Sequence, residues 1–339
     1  MIADLMESLV SGERADPEKL EDALHQIMLG DVPAAQTAGL LVSLRVREPD
    51  AATLAACARA MRSHRLVVEA QIQPLVDTCG TGGDRSGTFN ISTAAALVVA
   101  AAGGAVAKHG NRSVSSRAGS ADVLEAAGAA LDVAASGAKT LLDATGFCFL
   151  FAPIFHPAMA NVAPVRRALG IRTLFNLLGP LANPALAHRQ LLGVYDPGMT
   201  SVMAEALCEL GCEAALVVHC DGLDEIGLHA TTHAHRVRDG RVEPATIDPT
   251  ELGLTPAPVE ALAGGDAQEN AQILESILDG ESSPRSEVVA LNAGAAIELA
   301  GITGSLSEGI ETARELLRDG TAARVLSRYV ESSQRLTKG

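Results

Sequence analysis

The segment Asp77-Thr-Cys-Gly-Thr-Gly-Gly-Asp84 sets glycines at 80, 82 and 83 directly after the short apolar stretch Leu75-Val76-Asp77. Residues without a Cβ let the main chain approach a ligand closely and reach positive φ. Thr88-Phe-Asn-Ile-Ser-Thr93 follows and leads into an Ala-rich helix expected to start near Ser92-Thr93. The unpaired N–H groups and dipole of that helix start favour an anion. Strand, glycine turn and helix N-terminus together would cradle a phosphate. The plainer alternative is a tight turn between strand and helix with Ser92 or Thr93 as a simple cap. The loop has neither the GK[ST] of a Walker sequence nor the GxGxxG spacing of a dinucleotide fingerprint.

A second cluster, Lys108-His-Gly-Asn-Arg-Ser-Val-Ser-Ser116, directly follows the expected strand Ala105–Ala107. It gathers two cations, an amide and three hydroxyls in nine residues. In a parallel sheet such a position is the C-terminal edge, where ligands bind. A solvated loop is the alternative. Ser120 is expected to cap a helix over Ala121–Ala127. The third cluster, Asp221-Gly-Leu-Asp-Glu225, follows the expected strand Ala214–Cys220. Adjacent carboxylates at a strand end suit Mg²⁺, which takes one or two carboxylates plus substrate oxygens; an acid-rich turn would look the same. A polyphosphate bridged to carboxylates through Mg²⁺ accounts for all three clusters at once. The run His229, His233 and His235 reads as a solvated surface, alternating along a hairpin.

The elements that must hold these clusters follow from apolar periodicity. The first seventy or so residues read as helices: Asp16-Pro17 opens one over Glu18–Leu29, and Pro33–Arg47 and Ala51–Arg65 repeat the pattern. Beyond Pro74, apolar strands at Phe147–Ala152, Gln190–Tyr195 and Ala214–Cys220 alternate with helices such as Thr200–Leu210. That alternation predicts an α/β layer with a largely parallel sheet. His235–Ile247, turning at Asp239-Gly240, is expected to be a surface hairpin. Gly253–Gln268 reads as a loose loop, and helices over Glu287–Ala300 and Leu306–Glu331 close the chain.

Composition removes several function classes. The chain has 339 residues and a formal net charge of −15, so its field repels polyanions and argues against nucleic acid or a membrane surface as partner. An anionic substrate must therefore be met by local cations, helix N-termini or a metal. Aromatics make up only 2% with no Trp, so the core must be built from Ala, Leu and Val. The six cysteines include no CxxC pair and read as buried reduced thiols. The N-terminal MIADLMESLVSGERAD carries acids where a secretory leader needs bases, and no apolar run approaches the roughly 20 residues of a membrane span. A cytoplasmic location is expected.

At these residues the sequence resembles the anthranilate phosphoribosyltransferases, enzymes of the tryptophan pathway. The resemblance runs through GTGGD at Gly80–Asp84, NIST at Asn90–Thr93, KHGNRSVSS at Lys108–Ser116, GSADVLE at Gly119–Glu125, HPAM at His156–Met159, RALGIRTLFNLLGPLANP at Arg167–Pro184 and DGLDE at Asp221–Glu225. It implies an α/β fold with a small N-terminal all-helical domain, in the two-domain architecture of nucleoside phosphorylases and phosphoribosyltransferases. The helical part would be residues 1–72, would form a homodimer contact, and would be rejoined by residues 173–185; residues 73–339 would bind 5-phosphoribosyl 1-pyrophosphate.

By the same carry-over, Gly80, Gly83, Asp84, Thr88, Asn90, Ile91, Ser92, Thr93, Lys108, His109, Gly110, Asn111, Arg112, Ser113, Val114, Ser115, Ser116 and Ser120 would line that substrate. Gly80, Asn111 and Arg166 would contact anthranilate. Two Mg²⁺ per monomer are implied, one on Ser92 and Glu225 and one on Asp224 and Glu225. Spacing alone leaves Arg166 and Arg167 as equal candidates for the acceptor carboxylate, and the motif register selects Arg166. Lys108 would stabilise the leaving pyrophosphate. No dedicated general base is assigned, with His109 read as an orienting or packing residue. The nearest rival is a pyrimidine nucleoside phosphorylase, which shares the fold and a KHGNRS-like stretch; GTGGD…NIST and LFNLLGPL favour the transferase.

Overall fold

The protein is described here by a computed structural model covering residues 1–113 and 117–337; Val114, Ser115 and Ser116 of the expected substrate loop lie outside the described residues. The chain opens with helices α1 (Ile2–Ser11), α2 (Pro17–Leu29), α3 (Ala34–Val46) and α4 (Ala51–Ser63). The Asp16 side chain accepts from the amides of Glu18 and Lys19, Pro17 takes the first helical position, and Gly30 stops α2 at φ 84°. Leu20, Leu24, Ile27 and Met28 then face inward, each nearly inaccessible to solvent.

Seven strands form one sheet: β1 (Leu75–Gly80), β2 (Ala105–Gly110), β3 (Phe147–Phe151), β4 (Arg189–Gly193), β5 (Ala214–His219), β6 (Thr232–Arg238) and β7 (Arg241–Ile247). The order is β3-β2-β1-β4-β5-β6-β7, parallel through β5 and antiparallel for the last two. The chain order reverses direction at β1, where β2 lies on one side and β4 on the other. In an open parallel sheet that crevice is the ligand position. The expected hairpin is present, but it extends the sheet rather than standing apart from it.

Two apolar cores flank the sheet. One gathers α5 (Ile91–Ala101) with the C-terminal helices, including Pro284–Leu299 and Leu306–Arg318. The small residues there permit close packing: a Cβ on Gly294 would lie 2.6 Å from the amide nitrogen of Ile310. The other core joins the N-terminal helices to helix Met199–Glu209 and to Leu174, Phe175, Leu177, Leu178 and Leu181. Ala, Leu and Val predominate, but they do not make the core alone: its largest fully buried side chains are Tyr329, Phe147, Phe149 and Phe155, and Ile adds to both clusters and Met to the second.

Several expected boundaries shift. β2 runs through Gly110, so Lys108 and His109 belong to the strand and not to a loop after it. Helix α6 (Ser120–Ala126) has Gly119 at its cap, so Ser120 is its first residue and not the cap. Gly253–Gln268 is not loose: it contains a 3-10 turn at Val259–Leu262, and Ala263 pairs with Thr88. The terminal helix is broken at Asp319-Gly320, where Gly320 adopts φ 70°. Helices Ala135–Thr145 and Ala267–Leu278 were not anticipated.

Candidate active site at the carboxyl edge of the sheet

The glycine loop leaves β1 at Gly80 and closes back with Gly82 and Gly83 at φ 66° and 84°. Its shape is set by the acid pair. Gly82 N donates to Asp224 Oδ2 at 2.8 Å, and a Cβ on Gly80 would lie 2.5 Å from that same oxygen. Only a residue without a side chain lets β1 end against Asp224. Asp224 N in turn points to Asp84 Oδ2 at 3.5 Å, and Ser92 N, in the first turn of α5, donates to Glu225 Oε1 at 3.1 Å. Asp84, Ser92, Asp224 and Glu225 are therefore brought together from two distant parts of the sequence.

Both acids of the pair are buried. Burial pushes the Asp224 carboxyl well above its usual range, and the neighbouring Asp84 charge adds to the rise. Glu225 is raised by burial and then by Asp224, while Lys108 pulls it down. Oxygen donors whose ionised forms are this costly fit a hard divalent cation, which would reverse both shifts. Among the described residues no group of three Asp, Glu, His or Cys side chains could hold an ion by itself.

Lys108 is buried, and its ammonium donates to the Thr78 carbonyl and to Ser92 Oγ, the latter at 3.2 Å. Burial lowers its pKa, and the charges of Asp77 and Glu225 act against that. Beside it, His109 donates from Nδ1 to the Gly179 carbonyl at 3.0 Å, since a carbonyl can only accept. Nε2 has no hydrogen-bond partner among the described residues. Burial first, then the His156 ring at a centroid distance of 5.0 Å, holds the His109 pKa down to about 3. So weak a base does not collect protons near neutrality, which supports the orienting role over the general-base one.

The remaining expected residues divide. Asn90 Nδ2 donates to the Ala118 carbonyl at 3.3 Å and its Oδ1 accepts from Asn270 at 3.1 Å, joining NIST to the loop before α6. Ile91 and Thr93 are buried in the first turn of α5. Thr88 pairs with Ala263. Ser120 Oγ donates to the Asn111 carbonyl at 3.4 Å, and a Cβ on Gly110 would lie 2.6 Å from the Phe149 ring. Arg112 is turned onto carboxylates of α6, at 2.7 Å from Glu125 and 3.0 Å from Asp122, and Ser113 N donates to Asp122 at 3.0 Å. Arg166 is half-buried with its guanidinium 5.4 Å from the centre of the Phe175 ring, whereas Arg167 is exposed. The geometry thus separates two arginines that spacing left equal.

Some residues of the site were not foreseen. Asp77, buried in β1, accepts from Asn183 Nδ2 at 2.8 Å and from His109 N at 3.3 Å, and burial pushes its carboxyl up to about 6. An acid inside Leu75-Val76-Asp77 was the available signal. Arg172 donates to the Gly83 carbonyl at 2.5 Å; it lies inside the stretch Arg167–Pro184 that carries the family resemblance, which gave it no role. The six cysteines are free as expected, although Cys208 and Cys212 are only half-buried. His233 is exposed, but His229 and His235 are half-buried, and His235 pairs with Thr200 Oγ1 at 3.0 Å.

The helical-bundle model of the glycosyl transferase family matches residues 3–65, and its a/b-domain model matches residues 72–323. An anthranilate phosphoribosyltransferase of Symbiobacterium thermophilum is 47% identical over 98% of both chains. This chain belongs to that family. The crystal structure of the Thermus thermophilus anthranilate phosphoribosyltransferase superposes with a TM-score of 0.93 at 46% identity, covering 98% of this chain and 99% of that one. The Saccharomyces cerevisiae anthranilate phosphoribosyltransferase, in complex with PRPP and Mg, superposes with a TM-score of 0.91 at 28% identity over 98% of each chain; the same enzyme is known in complex with 4-fluoroanthranilate. The family's helical bundle and a/b domain correspond to the N-terminal helices and the sheet layer described above.

Proposed function

We propose that this chain transfers the phosphoribosyl group of 5-phosphoribosyl 1-pyrophosphate to the amine of anthranilate, giving N-(5-phosphoribosyl)anthranilate and pyrophosphate in tryptophan biosynthesis. One observation carries the reading: the buried Asp224–Glu225 pair bonds both the glycine loop and the first turn of α5, next to buried Lys108. A site with two buried carboxylates and a fixed ammonium beside a glycine loop and a helix N-terminus suits a diphosphate held through a divalent cation. The names and ligands of the relatives support the same chemistry.

The amine lone pair forms the bond to the ribose anomeric carbon as the carbon–oxygen bond to pyrophosphate breaks, and the electron pair leaves with pyrophosphate. Mg²⁺ would sit on Ser92 and Glu225 and, as a second ion, on Asp224 and Glu225, where it supplies positive charge to the diphosphate oxygens. Lys108 adds a fixed charge at the departing oxygens, an interaction that strengthens as charge develops. Gly80, Gly83, Asp84, Thr88, residues 90–93 and 108–113, and Ser120 would line the phosphoribosyl moiety. Arg166, with Asn111 and Gly80, would hold the anthranilate carboxylate, as an aromatic acid in an acidic protein needs a fixed guanidinium. A neutral aryl amine is nucleophilic enough that its proton can leave to water.

In the same reading, residues 1–72 form the dimer-bearing helical domain, rejoined by 173–185, and residues 73–339 form the substrate domain. Exposed Val10, Val42 and Val46 on α1 and α3 support a homodimer contact there. Six free cysteines support a reducing, cytoplasmic setting. Among the described residues no helix is long and apolar enough to cross a membrane. Mixing the protein with anthranilate, phosphoribosyl pyrophosphate and Mg²⁺ should release pyrophosphate in step with a loss of anthranilate fluorescence; no release with all three present would overturn the assignment.

A further inference from the structure

We infer that Arg172 is a positioning residue for the pyrophosphate-bearing substrate: clamped on Tyr195, it fixes the Gly83 peptide and ties the glycine loop to the segment that carries Arg166. The inference rests on the function proposed above for its kinetic consequences, but not for the clamp itself.

The guanidinium lies between two surfaces. On one side Nη2 donates to the Gly83 carbonyl at 2.5 Å. On the other, its Cζ stands 4.6 Å from the centre of the Tyr195 ring, within cation–π range. The fit at Gly83 is close: a Cβ there would lie 2.6 Å from Nη2 and 2.9 Å from Cζ, and φ is 84°. A side chain at 83 would thus have to displace the guanidinium as well as adopt the left-handed backbone of the turn. Tyr195 belongs to the same frame, because its amide donates to Thr81 Oγ1 at 3.2 Å and Thr81 N donates to the Gly193 carbonyl at 2.9 Å.

The loop is thus gripped twice, by Asp224 at the Gly82 amide and by Arg172 at the Gly83 carbonyl. Arg172 makes no ion pair among the described residues, although the chain has 41 acids against 26 bases. A half-buried arginine committed to a carbonyl and a ring, and not to a carboxylate, holds shape. It lies six positions after Arg166, beyond the helix end at Gly170. The acceptor-side arginine and the residue that holds the glycine loop therefore lie on one short stretch of chain.

Two arms test this in the full chain. In ligand-free protein, hydrogen exchange of the peptide covering residues 80–84 should quicken in Arg172→Met and in Tyr195→Leu, with α5 unchanged, and should stay at the native rate in Tyr195→Phe, which keeps the ring. In turnover, Arg172→Met should raise the KM for phosphoribosyl pyrophosphate about tenfold, with kcat and the anthranilate KM changed by less than about threefold. Arg172→Lys should not rescue, because a point ammonium cannot lie flat on the ring and bond the carbonyl together. Adding Tyr195→Leu to Arg172→Met should cost nothing more. Unchanged exchange in Arg172→Met, or an equal rise in both KM values, overturns the inference. A native protein without transferase activity would sink the proposed reaction and leave the exchange arm to judge the clamp.

Discussion

Gly193→Ala is the sharpest test of how the fold delivers the acid pair. Gly193 ends β4, pairs with Gly80 on one side and Val218 on the other, and accepts from Thr81 N, so its main chain has no direction in which to retreat. A Cβ added there would overlap the carbonyl carbon and oxygen of Asp224 and lie 3.1 Å from its Cα. Carbon atoms rest at about 3.5–4.0 Å, so the Asp224 main chain must withdraw by on the order of 2 Å. The 2.8 Å bond from Gly82 N to Asp224 does not survive such a shift, and Glu225, bonded to Ser92 N, must follow. Misplacing catalytic groups by about 1 Å can cost about 100-fold in rate, so kcat/KM should fall at least that far, about 3 kcal/mol of transition-state stabilisation. Overpacking of this kind costs about 1–3 kcal/mol of stability, within the roughly 5–15 kcal/mol of an ordinary domain. The variant should therefore stay folded. Initial rates of fluorescence loss across a Mg²⁺ titration, with a thermal melt on the same sample, decide the matter. A folded variant with kcat/KM within about threefold of native and an unchanged Mg²⁺ dependence would refute the argument.

Asp224→Asn with Glu225→Gln should nearly abolish turnover while the metal-free melting temperature holds or rises, because neutral amides remove a buried like-charge pair; full activity at limiting Mg²⁺ would discard the metal assignment. Arg166→Ala should mainly raise the anthranilate KM, by roughly tenfold or more, and an unchanged KM would move the acceptor site elsewhere. His156 supplies a pH test. Burial holds its pKa down to about 4, so above the unfolded value near 6.5 its contribution is fully present, and it is lost as pH falls from 6.5 toward 4. Between pH 7.5 and 5 that amounts to about 2 kcal/mol. The raised Asp224 and Glu225 carboxyls push stability the other way, so the readout is the difference between native and His156→Gln in denaturant unfolding at the two pH values. Native protein should lose about 2 kcal/mol more than the variant, and parallel curves would show that the histidine does not stay neutral in the fold.

The site was legible where chemistry is local and illegible where it depends on crossing the sheet. Glycines at 80, 82 and 83, the Lys108–Ser116 cluster and the acid pair each announce themselves by residue type at a strand end, and a parallel sheet sends strand ends to one edge. Their mutual bonds could not be read, since Gly82–Asp224 and Ser92–Glu225 span 142 and 133 positions. β1 and β2 were read too short for a related reason: Lys108 and His109 read as loop because they are polar, yet β2 buries them with partners in β1 and at Gly179. Helix Ala267–Leu278 escaped because it follows a glycine pair that marks a loop, although its Asp266 cap and Glu269 reciprocal bond were there to be seen. Family resemblance supplied what spacing left equal, the choice of Arg166 over Arg167; the two differ in exposure, Arg166 being half-buried and Arg167 exposed.

An acidic chain that works on a diphosphate has to make its positive potential locally, and the geometry explains how. Asp84, Asp224 and Glu225 would repel such a substrate if they faced it bare. Burial raises the two central acids, and a bound divalent cation would hold them ionised and bridge them to substrate oxygens. Lys108 could not take that place alone, because desolvation lowers its own pKa and its ammonium is already committed to Thr78 and Ser92. Asp77 acts against that burial most strongly among its neighbours, without cancelling it. The net charge of −15 is then compatible with the function, since the attraction is confined to one crevice and the remaining surface turns polyanions away.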